Sequence, residues 1–143
     1  MRLLIQRVKA AQVIIEERMH SEIGPGLLVF LGIHKDDQAS DCRRLAQKLI
    51  KLRIFNDSSG KMNLDIKDVE GSILVVSQFT LYADCTKGNR PSFTEAALSH
   101  SAEVLYEQFL SGLRSALPKV AAGVFGAAMQ IHLVNDGPVT III

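Results

Sequence analysis

"SILVVSQFTLYA", residues 72–83, is the most strand-like stretch of this chain and anchors the predicted fold. The apolar side chains of this stretch, up to and including Phe79, are predicted to be buried, because β-branched and aromatic side chains favour a packed, pleated surface. Gln78 and Thr80 are polar residues set among them, and the basic loop "KGNRPSF" follows at residues 87–93. The pattern predicts a buried strand whose last residues carry polar groups.

Apolar, partly alternating segments on both sides of this strand are typical of further β-strands. They are residues 3–17, 26–33, 124–134 and 139–143, together with a strand-turn-strand segment at residues 54–64. Asn-Asp-Ser-Ser-Gly at the centre of the strand-turn-strand segment is the predicted turn. The chain is therefore predicted to be rich in β-structure.

Two amphipathic helices are predicted between these strands. In residues 36–53 the apolar side chains recur at helical spacing. The solvent-facing side of this helix carries three cations, which are Arg44, Lys48 and Lys51. The second helix is predicted from about Thr94, as its capping residue, to Leu117, with Leu98 on its buried face.

The order of these elements is strands, helix, strands, helix and strands, with hairpin-like links. This order indicates an α+β fold with a largely antiparallel sheet. We predict a two-sheet, barrel-like β core with the two main helices packed on it, in β/β/α layers. The chain has 143 residues, of which 48% are hydrophobic, so residues 1–143 are predicted to form a single domain with one sizeable core.

Composition excludes several classes of function. The 16 basic residues against 15 acidic ones leave a net charge of +1, so bulk charge gives no reason to expect a nucleic acid or an anionic membrane as partner. The two cysteines, Cys42 and Cys85, are too few for a disulfide framework or a zinc site. No stretch reads as a signal peptide or a membrane span, so a cytoplasmic protein without metal or cofactor is expected.

The usual catalytic signatures are absent, including the nucleophile elbow, the zinc-protease HExxH, the P-loop and the dinucleotide-binding glycine pattern. Ser77 and Thr80 are candidate nucleophiles, but a hydroxyl needs a neighbouring base at neutral pH and none is near in sequence. Lys87 and Arg90 in the following loop are either part of a solvated turn or a phosphate-binding pair. From the residues alone, this region is a candidate site without an assigned reaction.

"NDGPVT", residues 135–140, places Gly137 and Pro138 between the apolar runs "MQIHLV" and "III". Proline cannot donate a ladder hydrogen bond and glycine weakens a strand, so this pair marks a sheet edge, a bulge or a turn. A turn between two strands is the simplest interpretation. The residues alone leave the alternatives open.

Three strings together resemble the D-aminoacyl-tRNA deacylases. They are "VSQFTLYAD" at 76–84, "KGNRPSF" at 87–93 and "LVNDGPVT" at 133–140. Shorter strings, "QRV", "LRIF", "GKMN" and "GVFGA", extend the resemblance over essentially the whole chain. Any one of these strings is weak evidence, but their order and separation in a chain of this length are specific to that family.

The resemblance implies a homodimeric editing enzyme that hydrolyses the ester between a D-amino acid, or glycine, and the terminal adenosine of tRNA. It also implies that the Gly137–Pro138 peptide is cis and enters the active site of the partner subunit. An L side chain would collide with this rigid wall, whereas a D side chain points away from it and glycine has no side chain. Arg7 is implied to hold the Gly-Pro loop by hydrogen bonding.

The same resemblance assigns roles to the strand end. The backbone N–H groups of Phe79 and Thr80 are implied to face the ester carbonyl or the ribose oxygen, as preorganised donors do where negative charge develops. Ser77 and Gln78 are implied to hold the adenosine. The family is described as using the 2′-hydroxyl of the tRNA, and whether Thr80 acts through its side chain or only through its N–H stays open.

Two alternatives remain. One is a related deacylase that edits L-alanine on the wrong tRNA, whose signature strand looks like "PQATL"; Ser77 and Phe79 argue against it. The other is a non-catalytic RNA-binding or dimerisation module of the same fold.

Lys87 and Arg90 are the predicted contacts to tRNA phosphates.

Overall fold

The computed structural model describes all residues from 1 to 143. The strands are β1 (Arg2–Ile15), β2 (Arg18–Ile23), β3 (Gly26–Gly32), β4 (Phe55–Asn56), β5 (Met62–Leu64), β6 (Ser72–Ser77), β7 (Val120–Ala122) and β8 (Gln130–Ile142). The helices are α1 (Ala39–Ile50) and α2 (Ser99–Arg114), and a short 3₁₀ helix spans Phe79–Tyr82. Neither α-helix combines the length and apolar character that crossing a bilayer requires.

Strand β1 organises the main sheet by pairing along both of its edges. Leu4 of β1 pairs with Phe30 of β3 on one side and with Ile142 of β8 on the other. Strand β2 pairs with the second half of β1, and β6 and β7 extend the sheet beyond β3. A separate small sheet contains β4 and β5, which confirms the predicted hairpin.

The predicted α+β fold with two main helices is confirmed. The main sheet is mixed, because β1 pairs antiparallel with its three neighbours while β3, β6 and β7 run parallel to one another. Parallel neighbours need long crossover connections. Helix α1 lies in the connection from β3 to β6, and helix α2 lies in the connection from β6 to β7.

The sheet buries apolar side chains on both of its faces. The larger core contains 22 buried residues and joins the sheet to both helices, with Leu3 and Ile5 of β1 packed in the same cluster as Phe109 of α2. A second cluster of 7 buried residues includes Val8 and Val13, farther along β1. Strand β1 thus contributes to both cores, and the sheet curls into a nearly closed barrel.

The second helix begins later than predicted. It starts at Ser99 rather than near Thr94, and Leu98 is its N-cap residue. Leu98 is 82% exposed, so the prediction that it is buried was wrong. The preceding segment is held instead by main-chain bonding to the end of β3, where Ala97 N–H donates to the Ile33 carbonyl at 2.9 Å.

The C-terminal strands also differ from the prediction. Residues 124–129 belong to no strand, and Gly126 takes a positive φ of 75° that turns the chain there. Strand β8 begins only at Gln130 and continues through Gly137 and Pro138 to Ile142. The glycine-proline pair therefore interrupts one strand rather than separating two.

Candidate active site

Strand β6 ends at Ser77, and the chain then turns into the 3₁₀ helix. The N–H of Gln78 makes the last bond to the sheet, donating to the Leu31 carbonyl at 2.8 Å. Phe79 is 57% exposed, so the prediction that it is buried in the strand was wrong. Its ring packs edge-on against Phe93 of the following loop, with ring centroids 5.1 Å apart. The turn presents these residues at the end of the sheet.

The hydroxyl of Thr80 has one hydrogen-bond partner, the side-chain amide of Gln78, which donates to it at 2.5 Å. An amide does not act as a base, so no base of the same chain contacts this hydroxyl. The backbone N–H groups of Phe79 and Thr80 precede the first bond of the 3₁₀ helix, which Leu81 N–H makes to the Gln78 carbonyl at 3.3 Å. No side chain caps this helix. The segment therefore offers two backbone donors, and its hydroxyl has no basic partner within the chain.

A cavity of about 540 Å³ lies beside this segment. Ser77, Gln78 and Phe79 form one wall of it. The remaining walls are mostly apolar and include Ile33, Ala97, Ala102, Phe125, Met129 and Ile131. Apolar walls with a few polar groups at this volume are typical of a site for a small organic ligand.

The loop that carries Lys87 and Arg90 is closed at its base. Asp84 and Ser92 exchange two main-chain hydrogen bonds, at 2.8 and 2.9 Å. The carboxylate of Asp84 accepts a hydrogen bond from the N–H of Thr86, which holds the pKa of Asp84 below its usual value. Lys87 and Arg90 are exposed and form no ion pair, so both are available to an external anion.

Gly137 and Pro138 lie in a bulge of β8. Residues 136–139 have no partner in the register between β1 and β8, opposite Arg7. The peptide bond between Gly137 and Pro138 is cis, the φ of Gly137 is +128°, and both residues are exposed.

Two side chains hold this bulge from inside. Asn135 donates from Nδ2 to the carbonyls of Arg7 at 2.9 Å and Val139 at 3.0 Å, which ties the two ends of the bulge together. Arg7 is buried, and it donates to the carbonyls of Asp136 at 3.2 Å and Ile54 at 2.7 Å. The Asp136 carboxylate balances the guanidinium charge at 3.3 Å. The bulge is thus a fixed shape with an open outer face.

The predicted site residues form two groups, which lie at opposite ends of strand β3. Leu31 accepts the hydrogen bond from Gln78, whereas Leu27 pairs with Arg7, next to the bulge. The step from Leu27 to Leu31 corresponds to about 13 Å of extended strand. Within one chain, the structure does not bring Gly137 or the neighbouring proline to the cavity that Ser77, Gln78 and Phe79 line.

Sequence reasoning missed part of both groups. Ala102, Phe125 and Met129 of the cavity wall have the pattern of ordinary core residues, so no local signal marks them. Asn135 and Asp136 were within the string "LVNDGPVT", which is the signal that identifies them, but no role followed from the string itself.

Comparison with known proteins assigns the chain to a family. A sequence profile described as D-Tyr-tRNA(Tyr) deacylase matches residues 4–143. The D-aminoacyl-tRNA deacylase of Thermotoga petrophila is 56% identical over 143 residues, which cover 100% of this chain and 96% of that protein. The D-aminoacyl-tRNA deacylase of Thermosipho africanus is 52% identical, with 100% of this chain and 96% of that protein covered.

The solved structure of a c-Myc DNA unwinding element binding protein is also similar to this chain. It superposes with a TM-score of 0.95 at 40% sequence identity, and the match covers 100% of this chain and 97% of that one. The chain therefore belongs to the D-Tyr-tRNA(Tyr) deacylase family. The enzyme class predicted from the three strings, a hydrolase of the ester bond in aminoacyl-tRNA, is confirmed.

Proposed function

We propose that this protein hydrolyses the ester joining a D-amino acid, or glycine, to the terminal adenosine of tRNA, and that two copies complete each active site. The observation that carries the proposal is the separation of the two groups of site residues. The bulge of Gly137 and Pro138 lies roughly 13 Å along β3 from the cavity. Bulge and 3₁₀ turn are both exposed, so a second copy has access to both.

A two-fold pair of copies would complete both cavities at once. In such a dimer the same surface of each copy faces the other, so each bulge enters the cavity of the partner. The bulge suits this use, because Arg7 and Asn135 fix it from inside and leave its outer face free.

The cavity is assigned to the terminal adenosine. Apolar walls and the ring of Phe125 suit a flat heterocycle, and the polar groups of Ser77 and Gln78 suit its ribose. With the base in this cavity, the ester on the ribose lies next to the backbone N–H groups of Phe79 and Thr80.

Selection of the D-configuration is assigned to exclusion by the bulge. The carbonyl side of the Gly137–Pro138 segment would form a wall beside the α-carbon of the substrate. An L side chain meets this wall, a D side chain points away from it, and glycine passes for want of a side chain. No particular D side chain has to be recognised, so one site would serve many D-amino acids.

Catalysis is assigned to the RNA and to the protein backbone. Water adds to the ester carbonyl, and the N–H groups of Phe79 and Thr80 stabilise the oxyanion that forms. The tetrahedral intermediate then expels the ribose oxygen, which takes a proton, and the free amino acid and the tRNA leave. The neighbouring 2′-hydroxyl of the tRNA positions the water, since the Thr80 hydroxyl has no base beside it.

Lys87 and Arg90 are proposed as contacts to phosphates near the acceptor end of the tRNA. They are exposed and free of intramolecular ion pairs, and such cations position a protein on a phosphate backbone. Residues 1–143 are proposed to act as one domain, in the cytoplasm, where aminoacyl-tRNA is made.

The direct test is deacylation of matched D- and L-aminoacyl-tRNA carrying the same amino acid. We expect hydrolysis of the D-ester and of glycyl-tRNA, no hydrolysis of the L-ester, and a large loss when the terminal 2′-hydroxyl is replaced by hydrogen. Hydrolysis of L-alanyl-tRNA alone would support the L-alanine-editing alternative. Binding without any hydrolysis would support a nucleic-acid-binding module, the role printed in the name of the 40% identical structure.

Shared active sites are tested by mixing two inactive variants. Ala127→Trp fills the cavity of its own chain, and Gly137→Ala disables the bulge of its own chain. In a mixed dimer one site combines an open cavity with an intact bulge, so activity should return on mixing. If the cavity and the bulge of the same chain act together, mixing restores nothing.

A further inference from the structure

Helix α1 carries a basic outer surface, which we call the α1 basic face and define as Arg43, Arg44, Lys48 and Lys51. All four side chains are exposed. At 100° per residue they fall within about 140° of arc, opposite the residues of α1 that enter the core. The protein as a whole has a net charge of only +1, so this face is a local concentration of positive charge.

Three of these cations have no partner in the protein. Arg44 pairs with Asp41 at 2.9 Å, whereas Arg43, Lys48 and Lys51 form no ion pair or hydrogen bond. Some basic residues elsewhere are paired, as Arg7 is with Asp136 and Lys35 with Glu95. The exposed side of the adjacent helix α2 differs in charge, since Glu103 and Glu107 lie on it. Apart from Arg114 at the end of α2, the cations of the helical layer therefore lie on the α1 side.

The α1 basic face begins near the candidate active site. Ile33, at the end of β3, lines the cavity, and residues 34–38 lead directly into α1. This segment is bonded to the residues that follow the loop of Lys87 and Arg90, since the N–H of Lys35 donates to the Glu95 carbonyl at 3.0 Å. From there α1 runs for 12 residues, about 18 Å. The α1 basic face thus continues the series of exposed cations that begins with Lys87 and Arg90, in the direction away from the cavity.

Acidic side chains at the start of α1 do not isolate this face. Asp37 pairs with the N-terminal amine, and Asp41 pairs with Arg44 at 2.9 Å. Glu95 pairs with Lys35 at 3.0 Å, and the Asp36 carboxylate lies 3.5 Å from the His34 ring. Most of their charge is balanced within the protein. An anionic chain can therefore pass from the loop to the α1 basic face without strong repulsion.

We infer that the α1 basic face binds backbone phosphates of the tRNA beyond its acceptor end, an inference that rests on the proposed function. The active site needs only the last nucleotide, yet the substrate is a long polyanion. Phosphate contacts fix the register of a nucleic acid on a protein and make its binding depend on salt. The row of unpaired cations on α1 gives this protein such contacts despite its near-zero net charge.

The test compares two triple variants with the same change in net charge. The first is Arg43→Ala/Lys48→Ala/Lys51→Ala on the α1 basic face. The control is Arg18→Ala/Lys61→Ala/Lys67→Ala, which removes three exposed, unpaired cations outside the helical layer. The kcat/KM of each is measured against salt concentration with D-aminoacyl-tRNA and with a D-aminoacyl ester of adenosine, which has no phosphate.

With D-aminoacyl-tRNA, the first variant should lose about two to three units of the slope of log kcat/KM against log salt, because each lost contact removes about 0.7–0.9. The control variant should retain the wild-type slope, and both should hydrolyse the adenosine ester at the wild-type rate. Equal slopes for the two triple variants would overturn the inference. An equal loss of activity on the adenosine ester would also overturn it, because it would point to damage of the fold.

Failure of the proposed function would look different. In that case the wild-type protein hydrolyses neither ester, and the fluorescence anisotropy of labelled, uncharged tRNA replaces the assay. Weaker, less salt-dependent binding by the first variant alone would then still support the α1 basic face, and identical binding by the two variants would refute it.

Discussion

The segments 77–81 and 135–140 are both exposed interruptions of strands, but they are stabilised in opposite ways. In the first segment, sheet bonding ends at Gln78, and two side-chain hydrogen bonds are formed, from Gln78 to the Thr80 hydroxyl and from Arg2 to the Leu81 carbonyl. In the second, Arg7 and Asn135 donate to four main-chain carbonyls around the bulge. Segment 77–81 therefore leaves backbone N–H donors without partners. Segment 135–140 is held by hydrogen bonds from inside and is open only on its outer face.

This difference matches the roles proposed for the two segments. A group that stabilises an oxyanion must keep its N–H donors free until charge develops on the substrate. A group that rejects a substrate by shape must not move, because a displacement of about 1 Å would admit the wrong side chain or exclude the right one. Changes to the bulge should therefore be more damaging than changes to the Thr80 side chain.

Gly137→Ala should have the largest effect. A Cβ at this position would lie 2.8 Å from Val139 Cγ2 and 3.0 Å from Arg7 Nη2, and the φ of +128° is unfavourable for alanine. The bulge must shift, so deacylation of D-aminoacyl-tRNA should fall by about a hundredfold or more. Gly60→Ala is the control, since Gly60 also has a positive φ but has no atom within 4 Å of the new Cβ. Equal activity of the two variants would show that the shape of the bulge is not used.

Arg7→Ala should follow. It removes the donor to the buried Ile54 carbonyl and the 3.3 Å partner of the Asp136 carboxylate, which keeps only Lys9 at 4.0 Å. The free energy of unfolding should fall by about 3 kcal/mol, and D-aminoacyl-tRNA activity should fall with the loss of order in the bulge. Urea unfolding and deacylation are measured together, with the exposed Arg18→Ala as control. An unchanged free energy of unfolding would mean that the hydrogen bonds of the guanidinium make no net contribution to stability.

Asn135→Ala should have a smaller effect, because Arg7 still holds one side of the bulge. Losing the bonds to the Arg7 and Val139 carbonyls should lower activity about tenfold. Asn135→Asp should be worse than Asn135→Ala, since a carboxylate would face two carbonyl oxygens. Discrimination between D- and L-aminoacyl-tRNA is the informative readout, and a reversed order of the two variants would contradict the bonding described.

Thr80→Ala should have the smallest effect. It removes only the bond that Gln78 donates at 2.5 Å and keeps the backbone N–H, so kcat should stay within about threefold of wild type. Thr80→Pro is the matched opposite, since it removes the N–H and should cost about a hundredfold or more. Circular dichroism checks that both variants fold. An inactive Thr80→Ala beside a folded protein would assign the chemistry to the hydroxyl.

Much of the fold was predictable because its signals are local. The apolar periodicity of α1 and the Asn-Asp-Ser-Ser-Gly turn of the β4–β5 hairpin each lie within one short segment. The start of α2 was not predictable in this way, because main-chain hydrogen bonds with the distant Ile33 and Lys35 hold residues 95–97 out of the helix. Phe79 was misassigned for the same reason, since its ring packs on Phe93 instead of the core.

The candidate site divides along similar lines. Ser77, Gln78 and Phe79 stand in one string and do line one cavity, but the facing wall comes from α2 and from residues 125–131. Most of those residues are apolar, as core residues are, so only their position in space marks them. Arg7 was identified through the resemblance of "QRV", and its bonding to Ile54 and Asp136 became visible only in the structure.

By itself the sequence determined the family, the three strings that mark it and the main elements, because such strings and side-chain periodicity are properties of neighbouring residues. Only the tertiary structure decided that β8 runs through Gly137 and Pro138 as a bulge, and that this bulge lies roughly 13 Å along β3 from the cavity. It also decided which cations of α1 stay unpaired. Each of these facts depends on which distant residues meet, and pairing across a sheet is set by burial and register together rather than by any one segment.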